Sequence, residues 1–261
     1  MQWPALTATT LLAALAACAG DPLSWQGGPG SSGLRVYKRS FAEALGDEFA
    51  SFATLEQIVA ETRSARVLWL GDDHKDVALH ELQRGLLERL AAERITPMLL
   101  LEAIGEEDQP DVDAFLDGRI TLPELRARCR ARWPGTWLCS GEVDASHYGA
   151  LLELAKERGW RVRAVEPTPR LPLPLRDARI ASAVRDAVKT RGPALPVAIV
   201  GQAHLLGEGD LVHRVNGPSL VLGARPPLPL RKLPAGVRRL APFARTGSGV
   251  LFFTELLAAD R

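Results

Sequence analysis

Two stretches of the chain place a histidine three residues after a glycine that itself follows an apolar run. They are Gly71-Asp72-Asp73-His74, after the letters VLWL, and Gly201-Gln202-Ala203-His204, after VAIV. Glycine permits a sharp exit from a strand, so each imidazole can turn back over the strand end. Imidazole titrates near neutral pH and is the commonest metal ligand in proteins. The spacing therefore predicts two histidines that face one crevice.

Carboxylates follow the apolar runs of this chain at the same points. Asp72 stands in the first turn, Glu102 directly follows Leu99-Leu100-Leu101, and Glu166 follows the run 161–165. Polar residues after strands are also ordinary in loops. An alternative in which these side chains only hydrogen-bond the loops of a non-catalytic scaffold therefore stays open.

Two kinds of chemistry suit this set. A divalent metal such as zinc or manganese takes imidazole and carboxylate ligands, and the candidate ligands are His74, His204, Glu102 and Glu166. A hydrolase would need a general base and a group that orients it, and the candidate catalytic residues are His74, Glu102, His204 and Asp72.

Strands and helices must alternate to bring these side chains together. Short apolar runs predict buried strands at 67–70, 98–101, 161–165, 197–200, 219–222 and 250–254. Apolar residues at helical spacing, with caps, predict helices at 54–63, 78–94, 110–116, 121–132, 146–158 and 176–190. Two Pro-rich copies of Leu-Pro-Leu-Arg, at 173–176 and 228–231, are expected to be loops.

This alternation predicts an α/β fold with a mainly parallel sheet and helices on both faces. In such folds ligands bind beyond the carboxyl ends of the strands. The ligand crevice is therefore expected there, where the acids and the two Gly-x-x-His turns lie.

The remaining histidines differ in what they could do. His147 and Tyr148 stand together at a predicted helix start, and imidazole and phenolate both ligate haem iron. They are candidate cofactor-binding residues, with a local structural role as the alternative. His80 is expected on the surface of the helix after the first turn, and His213 is expected to be structural.

Composition excludes one class of partner and leaves the cysteines undecided. Lys and Arg number 32 and Asp and Glu number 31, a net charge of +1, so nothing favours a nucleic-acid partner. Cys129 and Cys139 could form a disulfide in an oxidising compartment or remain two separate buried thiols.

The first residues predict export and lipid attachment. An apolar run at 7–17 has the length of a signal-peptide core, and it ends in Leu15-Ala16-Ala17-Cys18, which resembles a bacterial lipobox. We therefore expect a lipoprotein signal peptide at 1–18 with Cys18 as the lipidated residue. A Gly- and Ser-rich tether at 19–34 and a single domain at 35–261 would follow.

Taken together, these motifs resemble the ChaN-like lipoproteins, within a wider group that includes the Tiki and TraB proteins and the erythromycin esterases. The resemblance spans about residues 35–225 and rests on the segments 71–76, 99–118, Trp133, Tyr148 and 198–204. It implies an α/β fold and a cell-envelope lipoprotein of haem or iron uptake, facing the periplasm or the exterior. It also implies haem held near a subunit interface, as in a homodimer, with Tyr148 as the iron ligand.

The wider group implies a different use of the same residues, a metal-dependent hydrolase site formed by His74, His204, Glu102 and the acid at 72. Asp72 stands where relatives carry Glu, and Glu166 stands where they more often carry an amide. We therefore predict a lipoprotein that binds haem or iron. A metal-dependent hydrolase and a non-catalytic scaffold are the alternatives.

Overall fold

The computed structural model describes residues 49–141, 143–206, 209–226, 228–233 and 241–258. The predicted signal peptide at 1–18 with Cys18, the tether at 19–34 and the first residues of the predicted domain lie outside the described residues.

Eight strands of the described chain form one sheet in the order β1-β7-β8-β6-β2-β5-β3-β4. Their bounds are β1 Phe49–Ala53, β2 Val67–Asp72, β3 Pro97–Gly105, β4 Arg161–Glu166, β5 Leu195–Gly201, β6 Ser219–Leu222, β7 Phe243–Thr246 and β8 Leu251–Phe253. The pairs β6-β2, β2-β5, β5-β3 and β3-β4 are parallel. β7 runs antiparallel to both β1 and β8. The mainly parallel sheet is confirmed.

Helices connect the strands of the sheet. Their bounds are α1 Leu55–Ser64, α2 Val77–Ala92, α3 Gln109–Leu116, α4 Leu122–Arg132, α5 Ala145–Arg158, α6 Leu173–Thr190, α7 Gln202–Leu205, α8 Leu211–Arg214 and α9 Leu228–Arg231. Short 3-10 turns lie at Glu106–Asp108 and Thr254–Ala258. The predicted capping boxes form at the starts of α1 and α4, where Thr54 and Thr121 accept a backbone N–H.

Alternate residues of the central strands enter two separate hydrophobic cores. In β2, Leu68 and Leu70 pack into a core that includes side chains of α1 to α5. Val67 and Trp69, on the opposite face of the same strand, pack into a core that includes side chains of α6 and α8. This period of two is what a strand covered on both faces requires. The prediction of helices on both faces is confirmed.

The Leu-Pro-Leu-Arg segments are helical, which corrects their prediction as loops. α6 begins at Leu173, so Pro174 lies in its first turn, and α9 covers Leu228–Arg231. The first N–H groups of a helix have no partner within the helix, so a proline there costs no hydrogen bond. The earlier start of α6 places Arg176 in its first turn, at the carboxyl edge of the sheet.

The alternative left open for the two cysteines is resolved in favour of free thiols. Cys129 is buried, Cys139 is partly exposed, and both are free thiols; burial raises the pKa of Cys129 to about 12. In the part of the chain that the structure describes, no helix has both the length and the apolar character needed to span a membrane.

Candidate functional site

The acids and histidines that the sequence predicts to be catalytic or metal-binding lie at the carboxyl ends of β2, β3, β4 and β5. Asp72 ends β2, Glu166 ends β4, and His204 lies in α7 directly after β5. Glu102 lies within β3, just before a register irregularity against β4. Parallel strands deliver their following residues to the same edge, and here the side chains form two adjacent hydrogen-bonded clusters.

Asp72 is the centre of the first cluster. Its Oδ2 atom lies 2.9 Å from Nδ1 of His74 and accepts the Tyr148 hydroxyl over 2.5 Å. Its Oδ1 atom accepts from Nε2 of His80 over 2.9 Å. Burial alone would raise the pKa of Asp72, but the charge of His74 and the hydrogen bonds from both histidines hold it well below its usual range.

His80 is buried, which corrects its prediction as a helix-surface residue. Only 3% of the residue is exposed, because α2 begins at Val77 and its first turn rests on the end of β2. Nδ1 of His80 lies 2.9 Å from Asp144 and Nε2 lies 2.9 Å from Asp72. Burial opposes the charge, but the bonds to these two carboxylates raise the pKa of His80.

His147 and Tyr148, the candidate haem ligands, are both buried at the start of α5. The His147 ring stacks on His80 with centroids 3.9 Å apart and planes 4° apart. Burial and the charge of His80 lower the pKa of His147 to about 4, and its Nε2 atom has no hydrogen-bond partner in the described part of the chain. Tyr148 is 1% exposed. Burial and the charge of Asp72 raise the pKa of Tyr148 well above its usual range.

Both residues are enclosed in this structure. Tyr148 donates its hydroxyl proton to Asp72, and His147 lies in a ring stack with a buried Nε2 atom. The physical reason is the helix itself: α5 packs its first turn against the end of β2, and Asp144, its N-cap residue, bonds to both the helix and His80. Their role as haem ligands stays a prediction.

Glu102 is the centre of the second cluster. It accepts from Nη2 of Arg176, from Nε2 of His204 over 3.0 Å, and from the backbone N–H of Gly201 over 2.6 Å. Burial would raise its pKa, but the charges of His204 and Arg176 hold it well below the usual range. The hydrogen bond from the Gly201 N–H also joins Glu102 of β3 to the end of β5, so it fixes these two strand ends relative to each other.

His204 lies between two carboxylates, like His80. Nδ1 of His204 is hydrogen-bonded to Asp177 and Nε2 to Glu102. Burial would lower its pKa, but the charge of Glu102 and these bonds raise the pKa of His204 to about 9. Both ring nitrogens of His204 are thus engaged, Nδ1 by Asp177 and Nε2 by Glu102 and the Arg176 guanidinium, so neither is free for a metal in this structure.

Glu166 is the proton-carrying acid of the site. It is 1% exposed, and its Oε1 atom lies 3.2 Å from Nε of Arg176 and 3.6 Å from Nε of Arg170. Burial and the charge of Glu102 raise the pKa of Glu166 to about 7, while the two arginines limit the rise. A carboxyl group with this pKa is half protonated at neutral pH and suits general acid–base chemistry.

The residues present do not fit the predicted divalent metal. Of the described residues, no group of three or more His, Cys, Asp and Glu side chains is arranged to hold a metal ion. The guanidinium of Arg176 instead contacts Glu102, Glu166 and His204. A cation from the protein itself thus satisfies the carboxylates that a metal would need, and the metal prediction is not supported.

Arg176 and Asp177 are site residues that the sequence patterns did not identify. Both are buried in the first turn of α6. The available signal was electrostatic: two buried acids at one strand edge require a compensating cation. Two arginines, Arg170 and Arg176, follow Glu166 within ten residues, and both lie beside its carboxylate.

His74 forms the mouth of the crevice. Its side chain is 26% exposed, and its ring lies 3.6 Å from the Trp137 ring, centroid to centroid. A Cβ atom on Gly201 would be in ordinary van der Waals contact with His74 and Glu102, 3.4 Å from Nε2 and 3.5 Å from Oε2, so this turn passes directly beside both groups. Arg170 lies over the Trp137 ring, 5.0 Å from its centroid. The mouth thus combines an accessible imidazole, an aromatic face and a cation.

Comparison with known families matches the central part of the chain. Residues 58–171 match the model of a family described as haem-binding uptake proteins of the ChaN type, in the Tiki superfamily. The resemblance predicted from the sequence is confirmed. No curated protein matches the chain.

Several solved structures match parts of the chain at low sequence identity. ChaN of Campylobacter jejuni, described for its cofacial haem binding, is 13% identical with a TM-score of 0.49, over 64% of this chain and 84% of that protein. The RRSP effector domain of a Vibrio vulnificus MARTX toxin is 20% identical with a TM-score of 0.44, over 73% of this chain. The match spans 38% of the length of that toxin domain.

Proposed function

We propose that this chain, which resembles the ChaN-type haem-binding uptake proteins over residues 58–171, binds haem at the mouth of the crevice through Nε2 of His74. The observation that carries the proposal is the setting of His74. Its Nδ1 atom lies 2.9 Å from Asp72, and its ring is the most accessible imidazole of the site. Histidines that bind metal commonly donate their other N–H to a carboxylate in this way.

The surroundings of His74 suit a large planar ligand with acidic groups. Trp137, itself 8% exposed, packs beside the imidazole, and Arg170 lies over the same ring with its side chain 24% exposed. Haem iron accepts axial imidazole, and haem propionates are anions that a guanidinium can pair with. When bound, the haem would supply an iron centre whose ligand field is set by the imidazole and by Asp72 behind it.

Tyr148 is less suited to bind the iron in this conformation. Its hydroxyl would have to give up the 2.5 Å bond to Asp72 and leave a site where it is 1% exposed. An ionised phenolate beside the Asp72 carboxylate is also opposed by charge, which is why the pKa of Tyr148 is raised by burial and Asp72.

A haem titration of the purified full-length protein tests the proposal. The wild type is expected to give a Soret band, and His74→Ala is expected to weaken haem binding by roughly 10-fold or more. Tyr148→Phe is expected to keep the band. His213→Gln, an exposed histidine on α8, is the matched control. Loss of the band in Tyr148→Phe with retention in His74→Ala would assign the iron to the tyrosine instead.

A second candidate function is hydrolysis without a metal ion, and one observation favours it. Glu166, with its pKa raised to about 7 by burial and Glu102, lies in the same crevice edge as the Asp72–His74 pair. His74 could remove a proton from water while Arg176 balances the charge of the two acids. Hydrolysis of ester or amide substrates that persists with a chelator, fails in His74→Ala and occurs without haem would favour this candidate.

The proposal includes a place in the cell envelope. The apolar run at 7–17 and Leu15-Ala16-Ala17-Cys18 support lipid attachment at Cys18, with the folded domain facing the periplasm or the exterior. Incorporation of labelled fatty acid into the wild type, and its absence in Cys18→Ser, is the expected result. A haem-bridged homodimer is the proposed assembly, and a doubling of mass on haem addition in analytical ultracentrifugation would support it.

A further inference from the structure

We propose that His80 is a positioning residue: as an imidazolium between Asp144 and Asp72, it fixes the proton of His74 on Nδ1 and leaves the Nε2 lone pair for a ligand. His80 does not touch the mouth of the crevice. It acts through Asp72, which it bonds over 2.9 Å and which in turn bonds His74 over 2.9 Å.

The hydrogen bonds of Asp72 determine which nitrogen of His74 is protonated. An ionised carboxylate is only an acceptor, and Asp72 is held in that form by its donors. Its Oδ1 atom is used by His80, and Oδ2 is used by Tyr148 and His74. Nδ1 of His74 lies 2.9 Å from this carboxylate oxygen and 3.0 Å from the Tyr148 hydroxyl, whose proton goes to Asp72. Both neighbours therefore present lone pairs to Nδ1, so Nδ1 must carry the proton. In the neutral ring, Nε2 is then unprotonated.

The charge of His80 follows from its two partners. Both ring nitrogens lie 2.9 Å from carboxylate oxygens, those of Asp144 and Asp72. Each nitrogen must donate, so the ring is doubly protonated. The neutral His147 ring stacks flat against it at 3.9 Å, which excludes water from one face of the cation. His80 thus places one positive charge between the two carboxylates and balances half of their negative charge.

The first turn of α5 holds this arrangement in place. Asp144, its N-cap, bonds His80, and its backbone N–H donates to the His74 carbonyl over 2.7 Å. His147 stacks on His80, and Tyr148 donates to Asp72. The first turn of α5 therefore fixes three parts of the site: the loop that carries His74, the Asp72 carboxylate and the His80 imidazolium.

Loss of His80 should change the tautomer of His74, although His74 itself is not substituted. Oδ1 of Asp72 would lose its buried donor, and the carboxylate could turn away from His74. An imidazole without a fixed acceptor exchanges its proton between both nitrogens, so Nε2 would be partly protonated. The effect on ligand binding rests on the proposed function, because it assumes that Nε2 of His74 is the ligand atom. The tautomer itself does not depend on it.

Nitrogen NMR of histidine-labelled full-length protein without haem tests the inference. In the wild type, His74 is expected to show a protonated Nδ1 and an unprotonated Nε2, and His80 is expected to show two protonated nitrogens. His80→Leu should give His74 an averaged pair of signals and weaken haem binding by roughly 10-fold. His80→Gln keeps one donor toward Asp72, so it should restore part of the wild-type His74 signals and part of the haem affinity. His213→Gln should change neither the signals nor the affinity.

Three results separate the alternatives. An unprotonated Nδ1 on wild-type His74, or an unchanged tautomer in a folded His80→Leu protein, overturns the inference. If His80→Leu does not fold, the wild-type spectrum still decides, because a neutral His80 also overturns it. If the tautomers are as expected but neither the wild type nor any variant binds haem, the proposed function fails. The positioning role of His80 then still stands.

Discussion

The hydroxyl of Tyr148 donates to Oδ2 of Asp72 over 2.5 Å, and that oxygen is the one that also bonds Nδ1 of His74. A residue expected to bind iron is thus part of the support of the histidine that faces the crevice. The tyrosine comes from α5 and the acid from β2, so the bond joins a helix to the central strand of the sheet. The contribution of this hydrogen bond should therefore be measurable as a difference in the free energy of unfolding.

Tyr148→Phe should lower the free energy of unfolding and leave haem binding in place. The substitution removes one buried hydrogen bond to a charged acceptor, and such bonds contribute about 1.5–3 kcal/mol. Urea unfolding of wild type and variant measures this loss. Because Phe keeps the ring in the core, a decrease larger than this range would indicate that the hydroxyl supports more than the Asp72 bond. No decrease would contradict the geometry.

The convergence of the site was predictable because it depends on strand direction alone. Asp72 and Glu166 end parallel strands, and such strands deliver their last residues to one edge. Arg176 was not predictable from the same patterns, since two nearby prolines indicate a loop in sequence but a helix start in the fold. Its role depends on the tertiary burial of two acids, Glu102 of β3 and Glu166 of β4, beside His204 of α7.

His80 and the antiparallel edge show a second limit of pattern reading. A stripe of leucines defines the buried face of α2, and a polar residue next to that stripe is assigned to the surface unless its partners are known. Asp144 and Asp72, which bury His80, lie 64 and 8 residues away. β1 and β7 are short and include exposed or polar positions, so their periodicity is too weak to predict a strand.

Glu166 should make the protein lose stability as the pH rises from about 4.5 to about 7. Burial and Glu102 raise its pKa to about 7 from an ordinary 4.5, so across this window the folded state holds a proton that the unfolded state has released. Stability therefore falls with pH here, by on the order of 3 kcal/mol in total. Glu166→Gln should flatten this part of the curve in urea unfolding at stepped pH. An unchanged slope would show that Glu166 is ionised throughout.

His204 should act in a later pH window. The charge of Glu102 and the bonds to Asp177 and Glu102 outweigh burial and raise its pKa to about 9, above an ordinary 6.5. Its contribution is fully present below pH 6.5 and is lost as the pH rises through 9. His204→Gln should remove the fall between these values and extend the Glu166 window to higher pH, because the charge of His204 lowers the pKa of Glu166. A variant that flattens both windows would mean that the two groups titrate as one unit.

Removal of Arg176 should turn its partners into a divalent-metal site. Without the Arg176 guanidinium, Glu102 and Glu166 face each other beside His204, and the more distant Arg170 remains as their arginine partner. Breaking a buried ion pair in this way costs about 3–5 kcal/mol. Zinc binds carboxylate and imidazole groups and can replace the lost charge. Arg176→Ala is therefore expected to unfold at a lower temperature than wild type and to recover stability when zinc is added.

The matched control for this experiment is Arg179→Ala. Arg179 lies one turn further along α6, is 58% exposed at its side chain and pairs with Glu106 at the surface. It should change stability little and show no response to zinc. Calorimetric titration adds a direct measure, with stoichiometric zinc binding expected in Arg176→Ala alone. Equal zinc binding by the wild type would mean that the arginine shares the site with a metal, because its guanidinium would then have to move away from the acids.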